Sequence, residues 1–306
     1  MPYIILGIVL FLLLSFLAGL FFLYMNVFYT PHKGQNNDFN IHQNYIYKGY
    51  EDQCENMVKE LLKIPYEDIY VKANDRVKLR ARFYENKSSK RVAICFHGYR
   101  GTACRDLSGG AKVLIDEGFN VILPDERGHG ESKGHSITFG HKEQYDVLCW
   151  INKAYEMLGK DIEIVLFGIS MGGATVLLAA NKVPYSIKIV ADCPFSSPKE
   201  IISETIIHLG LKPKFFFPLA NLASIIYGHA NLNNDDASKN IKESNSKILI
   251  IHGTSDTVVP YKFSKRIYEE NKDKVQYELF EGAEHGMSFL VDTKRYKDVL
   301  NDFLSK

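Results

Sequence analysis

The sequence predicts an α/β fold, with a mostly parallel central sheet flanked by helices, behind an N-terminal transmembrane helix. Short apolar strands alternate with longer helical stretches, which is the pattern of βαβ units. Several of these strands are continuous apolar runs, as expected when both faces of a parallel sheet are covered. Residues 1–29 contain no Asp, Glu, Lys, Arg or His, so every charged side chain follows them.

The apolar segment 3–29 is long enough to cross a lipid bilayer. As a helix it would be about 40 Å long, and a hydrocarbon core is about 30 Å thick. A cleaved signal peptide would instead have a basic start, a shorter apolar region and a small-residue cleavage site. We therefore expect residues 1–29 to be an uncleaved, single-pass membrane anchor. Lys33 and Lys48 follow the span, which favours a cytoplasmic C-terminal part, although two lysines leave the side of the membrane open.

Charge and cysteine content narrow the range of functions. The 37 Lys and Arg residues nearly balance 36 Asp and Glu, so no long-range positive field favours DNA or RNA, and we expect no nucleic-acid partner. The five cysteines have no C-x-x-C spacing, so they predict neither a metal site nor a disulfide framework. We expect no metal ion and no organic cofactor.

Residues 30–66 are predicted to form a connector and an accessory helix. The stretch 32–44 is polar and irregular, whereas 51–62 carries apolar residues at helical spacing. A regular alternation of strands and helices then fills residues 67–306, which we interpret as one domain.

The first two strands of this domain, 68–72 and 77–84, alternate in period two around a turn and predict an antiparallel hairpin. The other predicted strands are apolar and short, and they cover residues 91–96, 120–123, 162–167, 187–191, 247–251 and 275–280. The predicted helices cover residues 106–117, 141–158, 171–181, 260–271 and 287–304. In such a sheet, ligands lie beyond the carboxyl ends of the strands.

The most specific motif is Gly-Ile-Ser-Met-Gly-Gly at residues 168–173, between a strand and a helix. This is the context of a G-x-S-x-G nucleophile elbow. The sharp turn strains the serine backbone and requires small residues two positions to either side. It also places the hydroxyl at the N-terminus of the next helix, where backbone N–H groups favour negative charge. Ser170 is therefore the candidate nucleophile.

A serine hydroxyl needs a base, and the base needs a carboxylate to orient it. His285 lies between the last strand and the last helix, and Asp256 follows the preceding strand. The chain order Ser170, Asp256, His285 is the one expected for a catalytic triad on this type of sheet. Asp192 also ends a strand and is a second candidate for the acid, whereas Glu284 is expected to face solvent.

Two backbone N–H groups are expected to form an oxyanion hole. One is the N–H of Met171, directly after the nucleophile. The other is the N–H of Tyr99, in the loop that follows strand 91–96. His97 begins that loop, and we interpret it as a side chain that braces the loop rather than as a catalytic residue.

These residues together resemble the α/β-hydrolase superfamily, over about residues 66–306. The segment 125–132, Asp-Glu-Arg-Gly-His-Gly-Glu-Ser, is similar to the D-x-R-G-H-G-x-S loop of serine hydrolases of the monoacylglycerol lipase and serine aminopeptidase-like groups. In that family the loop is mainly structural, so His129 is not the expected base. Residues 30–66 depart from the family pattern, and a membrane anchor is typical of some members only.

The resemblance implies acyl transfer to Ser170 and release by water. It also implies that the long connection at about residues 196–245 is a helical cap over the site. The many Ile, Leu and Phe residues of this segment would line an apolar pocket, or form the cap's own core. We expect a membrane-anchored serine hydrolase of an apolar, lipid-like ester. The alternatives are an aminopeptidase-like enzyme, with Asp235, Asp236 or Glu204 binding a free amine, and an inactive hydrolase fold that only binds.

Overall fold

The chain was examined as a computed structural model, which describes residues 1–31, 37–41, 45–183 and 187–306. Most of the predicted irregular stretch 32–44 lies outside the described residues. One eight-stranded sheet has the strand order β1-β2-β4-β3-β5-β6-β7-β8. Its strands are β1 (Glu67–Lys72), β2 (Lys78–Tyr84), β3 (Arg91–Phe96), β4 (Asn120–Pro124), β5 (Glu163–Ile169), β6 (Lys188–Asp192), β7 (Lys247–Gly253) and β8 (Val275–Phe280).

The sheet is mostly parallel, as predicted. β1 pairs antiparallel with β2, and β2 pairs antiparallel with β4. Every other neighbouring pair, from β4–β3 to β7–β8, is parallel. The carboxyl ends of the six parallel strands therefore meet at one edge, which is where the candidate site residues follow β3, β5, β7 and β8.

Helices cover both faces of the sheet and join its strands. They are α1 (Pro2–Val27), α2 (Glu51–Lys63), α3 (Ala103–Asp116), α4 (Glu143–Leu158), α5 (Met171–Ala179), α6 (Pro198–His208), α7 (Pro213–Ala223), α8 (Ala237–Glu243), α9 (Lys262–Glu270), α10 (Ser288–Val291) and α11 (Thr293–Ser305). A 3-10 turn covers Tyr45–Tyr47 and a π-helical turn covers Ser224–Gly228. The predicted helix 287–304 is divided in two, because Asp292 caps α11 through the Arg295 N–H.

Two apolar layers form the core, one on each face of the sheet. Alternate side chains of β3 show this division, since Ala93 and Cys95 belong to one layer and Val92 and Ile94 to the other. α2, α3 and α11 cover the first layer, whereas α4 and α5 pack on the second. Because side chains alternate across a strand, continuous apolar strands fill both layers at once.

A third apolar cluster lies outside the sheet and joins the end of α1 to the segment between β6 and β7. It includes Leu20, Tyr24 and Phe28 from α1 and the residue after it, together with Phe217 and Ala223 of α7. In the described part of the chain, α1 is the only helix that is long and apolar enough to cross a membrane. Its last two turns are therefore packed on protein, while the side chains from Met1 to Phe16 are exposed.

Candidate active site

Ser170 occupies a strained turn between β5 and α5. Its backbone has φ 55° and ψ −116°, which L-residues rarely adopt. A Cβ atom on Gly168 would come within 2.2 Å of the Gly172 carbonyl oxygen, and one on Gly172 within 2.1 Å of the Phe96 carbonyl oxygen. Both glycines are therefore required by close backbone contacts, as the motif predicted.

The structure brings Ser170, His285 and Asp256 into one hydrogen-bonded chain. His285 Nε2 lies 2.8 Å from Ser170 Oγ, and His285 Nδ1 lies 2.7 Å from Asp256 Oδ2. These distances allow the imidazole to accept the serine proton while Nδ1–H donates to the carboxylate. The three side chains come from the loops after β5, β8 and β7, so residues 115 and 29 positions apart in the chain meet at one edge of the sheet.

The carboxylate of Asp256 is held in place by its own loop. The N–H groups of Val258 and Val259 donate to Asp256 Oδ1 at 2.9 and 2.7 Å. Burial alone would raise the pKa of Asp256, but the charge of His285 and the hydrogen bonds from His252 and His285 outweigh it and lower the pKa. Burial would likewise lower the pKa of His285, and the Asp256 carboxylate raises it overall. Asp256 is therefore anionic when His285 gains a proton.

His252 is a member of the site that the sequence analysis missed. This fully buried side chain ends β7, and its Nε2 lies 2.8 Å from the Val259 carbonyl oxygen and 3.1 Å from Asp256 Oδ2. One N–H thus fixes the Asp256 loop and reaches the carboxylate from the side opposite to its backbone donors. In the sequence, His252 lies at the end of an apolar strand, four residues before Asp256. No motif distinguishes it there from a histidine of the core.

The two predicted oxyanion donors, Tyr99 and Met171, lie at the edge next to Ser170. Among the hydrogen bonds of the described residues, the backbone N–H of neither residue has a protein acceptor. Their neighbours are occupied: the Gly98 N–H donates to Asp106 Oδ2 at 3.0 Å and the Arg100 N–H to His129 Nε2 at 3.0 Å. The loop is therefore held on both sides of Tyr99 while the Tyr99 N–H remains available.

His97 and His129 brace this loop, as the sequence analysis proposed for His97. His97 Nε2 accepts the Glu126 N–H at 3.0 Å, and the two imidazole rings pack edge to face with centroids 4.7 Å apart. Burial lowers the pKa of His97, which keeps this acceptor nitrogen unprotonated. Neither ring is hydrogen-bonded to Ser170.

Arg127 holds the remainder of the 125–132 loop to the body of the domain. Its guanidinium binds both carboxylate oxygens of Asp146 at 2.7 and 2.6 Å and also binds Asp75 at 2.7 Å. Arg80 reaches Asp125 from β2 at 3.1 Å. These buried, charge-assisted bonds support a structural role for the loop.

The other two acids near the triad have different partners from those of Asp256. Asp192 Oδ2 accepts the Tyr296 hydroxyl at 2.9 Å, and burial raises the pKa of Asp192 to about 6. Glu284 was expected to face solvent, but its carboxylate accepts the Thr257 N–H and hydroxyl at 2.6 and 2.7 Å. Glu284 thereby links the loop of His285 to the loop of Asp256.

The end of α1 contacts the side chains that flank the Tyr99 N–H. The Tyr99 hydroxyl donates to the Val27 carbonyl oxygen at 2.8 Å, and the Arg100 guanidinium donates to the Asn26 carbonyl oxygen at 2.9 Å. The Tyr99 ring also stacks on Phe139, with centroids 4.9 Å apart. The last carbonyls of a helix are otherwise unsatisfied, so these bonds stabilise both partners.

A cavity of about 220 Å³ opens beside Ser170 and His285. Its apolar walls come from α2, α3, β5 and α10, and among the residues that line it are Cys54, Met57, Gly109, Phe167, Phe289 and Leu290. No residue of the 196–245 segment lines it. The expectation that the cap supplies the pocket wall is therefore wrong for this cavity. Many of the cap's apolar residues pack with the end of α1 instead, and residues 45–63 close the cavity.

Tyr47 and Arg105 form a polar part of the cavity wall. Arg105 lies beside Tyr47 in this wall and pairs with Asp106 at 2.9 Å, and Asp106 in turn accepts the Gly98 N–H. The segment around Tyr47 is thus connected through two charged side chains to the loop that carries the Tyr99 N–H.

Cys193 and two members of the triad form a group of potential metal ligands. Ligand atoms of Cys193, Asp256 and His285 lie within 4.8 Å of one another. Burial raises the pKa of the Cys193 thiol well above its usual value, which disfavours the thiolate that a metal requires. Asp256 and His285 already bind each other, so this set fits a hydrogen-bonded triad better than a metal centre.

Known proteins are similar to this chain in both sequence and fold. The serine aminopeptidase family S33 matches residues 87–218. An uncharacterised protein of Bacillus subtilis, YqkD, is 26% identical over 199 residues, or 63% of this chain and 64% of that protein. The lysophosphatidylserine lipase ABHD12 of Danio rerio is 26% identical over 240 residues, or 73% of this chain and 61% of that protein. The chain thus spans less than two thirds of the length of either relative.

An esterase of Pyrococcus furiosus has the same fold. Its structure superposes with a TM-score of 0.66 and 23% sequence identity, and the match covers 80% of this chain and 92% of the esterase. The chain has the α/β-hydrolase fold, as its motifs predicted.

Proposed function

We propose that the chain is a membrane-anchored serine hydrolase that cleaves a carboxylic ester with an apolar acyl group. The observation that carries this proposal is the continuous path from Ser170 Oγ through His285 to Asp256, with bonds of 2.8 and 2.7 Å. The strained elbow and the two available N–H groups at Tyr99 and Met171 support it. The esterase and lipase names among the similar proteins favour the same class.

The proposed reaction proceeds in two acyl transfers. Ser170 Oγ attacks the ester carbonyl carbon while its proton passes to His285 Nε2, and the N–H groups of Tyr99 and Met171 donate to the resulting oxyanion. When the C–O bond to the alcohol breaks, His285 returns the proton to the leaving oxygen. Water then attacks the acyl-enzyme by the same sequence and releases the acid and Ser170. Asp256 stabilises the imidazolium in both halves.

The cavity beside Ser170 supports an acyl group as the bound part of the substrate. Its walls include the apolar side chains Met57, Phe167 and Phe289. Drug-sized ligands usually occupy clefts of about 300–1,000 Å³, and this cavity is smaller at about 220 Å³. A short or medium acyl chain fits such a volume better than a long one, unless the wall formed by α2 moves.

An aminopeptidase-like activity is the second candidate, and the family match to serine aminopeptidases favours it. Such an enzyme needs a free carboxylate for the substrate amine. Asp235 accepts from His141 and Gln144, Asp236 caps α8, and Glu204 pairs with Lys262. None of these three acids lines the cavity. The placement of the acids therefore favours the ester.

Paired substrates separate the two candidates. We expect the full-length protein to hydrolyse p-nitrophenyl esters, with an optimum at short or medium chain length, and to leave amino acid p-nitroanilides intact. The Ser170→Ala variant should retain none of the ester activity above background. Cleavage of amides with a free N-terminus, without cleavage of esters, would overturn the esterase assignment. Equal ester hydrolysis by wild type and Ser170→Ala would overturn the serine mechanism.

The membrane-anchor part of the proposal rests on α1. Its 26 residues contain no charged side chain, and 6% of its most apolar window is buried. A core helix of a water-soluble protein would be largely buried, so the exposed part of α1 requires an apolar surrounding. Resistance of the protein to extraction from membranes by alkaline carbonate is the expected result.

A further inference from the structure

The apolar outer surface of the 196–245 segment is not covered by any of the residues that the structure describes. Six side chains, which we call the apolar cap face, are each at least one third exposed, and they are Leu209, Leu211, Phe215, Phe216, Ile225 and Ile226. Leu209 and Phe215 are the most exposed, at 69% and 62%. Apolar side chains grouped on one surface mark a binding surface rather than scattered exposure.

The position of α1 shows what covers this face. The side chains of residues 3–16 of α1 are exposed. At a rise of 1.5 Å per residue, this part of the helix is about 21 Å long. A hydrocarbon core is about 30 Å thick. If α1 crosses it, about six further residues must also lie in hydrocarbon, which takes the crossing to about residue 22. Tilting of the helix would require still more residues.

The cap packs against α1 at this same depth. The Tyr227 hydroxyl donates to the Leu17 carbonyl oxygen at 2.9 Å, and the Tyr227 ring meets Phe21 edge to face with centroids 5.2 Å apart. Leu20 of α1 is 3% exposed and belongs to the same apolar cluster as Phe217 of α7. If Leu17 and Phe21 lie in the hydrocarbon, Tyr227, which contacts both, lies in it or at its boundary. Ile225 and Ile226 directly precede Tyr227 in the chain.

We propose that the apolar cap face lies in the lipid bilayer that α1 enters. The cap then contacts lipid at the hydrocarbon boundary, and the active site is held against the membrane surface. This inference rests on the membrane-anchor part of the proposed function. It also assigns a partner to a surface that does not line the cavity beside Ser170.

The charges around the cap face match this position. From Thr205 to Asn234 the chain contains no Asp or Glu, while Lys212 and Lys214 are exposed. Exposed lysines next to apolar side chains are typical of surfaces that lie at the headgroup level of anionic lipids. Glu204, the nearest acid before this stretch, pairs with Lys262 and His208.

The buried inner side of the cap lies close to the candidate site. Tyr99 and Val258 line the cavity, and both pack against the cluster that joins α1 to the cap. With the cap face in the bilayer, an apolar ester dissolved in the lipid would be held close to Ser170. The proposal identifies the substrate class further, as an ester that partitions into membranes.

Site-directed fluorescence quenching tests the position of the cap face directly. Cys149 is the partly exposed cysteine of the described residues, and Cys54, Cys95, Cys104 and Cys193 are buried. In a Cys149→Ser background, a polarity-sensitive fluorophore is attached in turn to Phe215→Cys, to Leu12→Cys in α1 and to Tyr70→Cys in β1. Each protein is reconstituted at full length into vesicles of phosphatidylcholine and phosphatidylserine.

We expect nitroxide-labelled lipid to quench the labels at 215 and 12, and aqueous iodide to quench the label at 70. If iodide quenched the label at 215 as strongly as the label at 70, the cap proposal would be overturned. Lipid quenching of the label at 12 would still support the membrane anchor in that case. Iodide quenching at 12 would overturn the anchor and the cap proposal together. Because the readout does not depend on turnover, neither result bears on the serine mechanism.

A functional comparison completes the test. The Phe215→Ser/Phe216→Ser variant should lose several-fold activity on a medium-chain ester embedded in the same vesicles and retain wild-type activity on water-soluble p-nitrophenyl acetate. The matched control is Tyr70→Ser, which removes an exposed aromatic side chain far from the cap and should change neither activity. Equal activity of all three proteins on the embedded ester would contradict the proposal.

Discussion

At the scale of residues, the charge on Asp256 controls the protonation of His285. His285 accepts the Ser170 proton only while its imidazole is neutral, and Asp256 raises its pKa against the opposing effect of burial. The base form is therefore present above the raised pKa and is lost as the pH falls through it. We expect kcat/KM on a p-nitrophenyl ester to decline on that acidic side.

The Asp256→Asn variant tests this electrostatic role. Removal of the carboxylate should lower kcat by about 10⁴-fold, as for other triads. It should also move the acidic limb of the residual activity to lower pH, because the charge that raises the His285 pKa is gone. The measurement is the pH dependence of kcat/KM in both proteins. An unchanged limb in Asp256→Asn would show that Asp256 does not set the pKa of the base.

Sequence patterns identified three residues of the candidate site, but they did not identify a fourth, His252. Ser170, Asp256 and His285 could be placed from the sequence, because each follows an apolar strand and parallel strands end at a common edge. His252 ends β7 in the same way, yet its role depends on a side-chain bond to Asp256 at 3.1 Å. Such a bond depends on the conformations of two side chains, which no spacing rule specifies.

At the scale of elements, α1 contacts the loop that carries the Tyr99 N–H. The Tyr99→Phe variant loses the hydroxyl that donates to the Val27 carbonyl oxygen and keeps the ring and the backbone N–H. One hydrogen bond contributes about 0.5–1.5 kcal/mol, so we expect kcat to fall by up to about tenfold with little change in KM. Tyr145→Phe, at an exposed tyrosine of α4, is the matched control and should be neutral. An equal kcat in both variants would show that the bond between Tyr99 and α1 does not help to position the oxyanion loop.

α2 is the second element with a specific expectation, because Met57 lines the cavity. Met57→Ala removes part of this wall and should move the optimum of a p-nitrophenyl ester series toward longer acyl chains. Each additional buried CH₂ group contributes about 0.8 kcal/mol, so the change should reach several-fold per carbon where space is gained. Glu60→Ala, on the exposed face of the same helix, should leave the chain-length profile as in wild type. If both variants kept the wild-type optimum, the cavity would not bind the acyl chain.

The strands were easier to predict than the contacts of α1 and α2. β3 and β8 match their predicted ranges, Arg91–Phe96 and Val275–Phe280, because buried parallel strands are short apolar runs between turn residues. The apolar composition of α1 predicts a span but contains no information about which protein surface meets its last turns. Helical spacing in α2 likewise predicts an apolar face without indicating that Met57 borders the cavity.

At the scale of the whole molecule, two N-terminal segments meet at the loop that carries the Tyr99 N–H. The Tyr99 loop contacts the end of α1 through Val27 and the 45–63 segment through Gly98, Asp106 and Arg105. Both of these segments precede the sheet in the chain, and both lie outside the family match at residues 87–218. The parts that distinguish this chain from a minimal α/β hydrolase therefore converge on the proposed oxyanion hole. The hydrolase fold supports the proposed reaction, whereas the 45–63 segment lines the proposed acyl cavity and α1 contacts the proposed oxyanion loop.

The central claim is that Ser170 is a nucleophile activated by His285. The most direct measurement is covalent labelling of the full-length protein by a fluorophosphonate probe, followed by mapping of the modified peptide by mass spectrometry. We expect the adduct on Ser170, no labelling of Ser170→Ala, and labelling of His285→Ala slowed by several orders of magnitude. Absence of labelling in the wild type, or equal labelling of wild type and Ser170→Ala, would contradict the account.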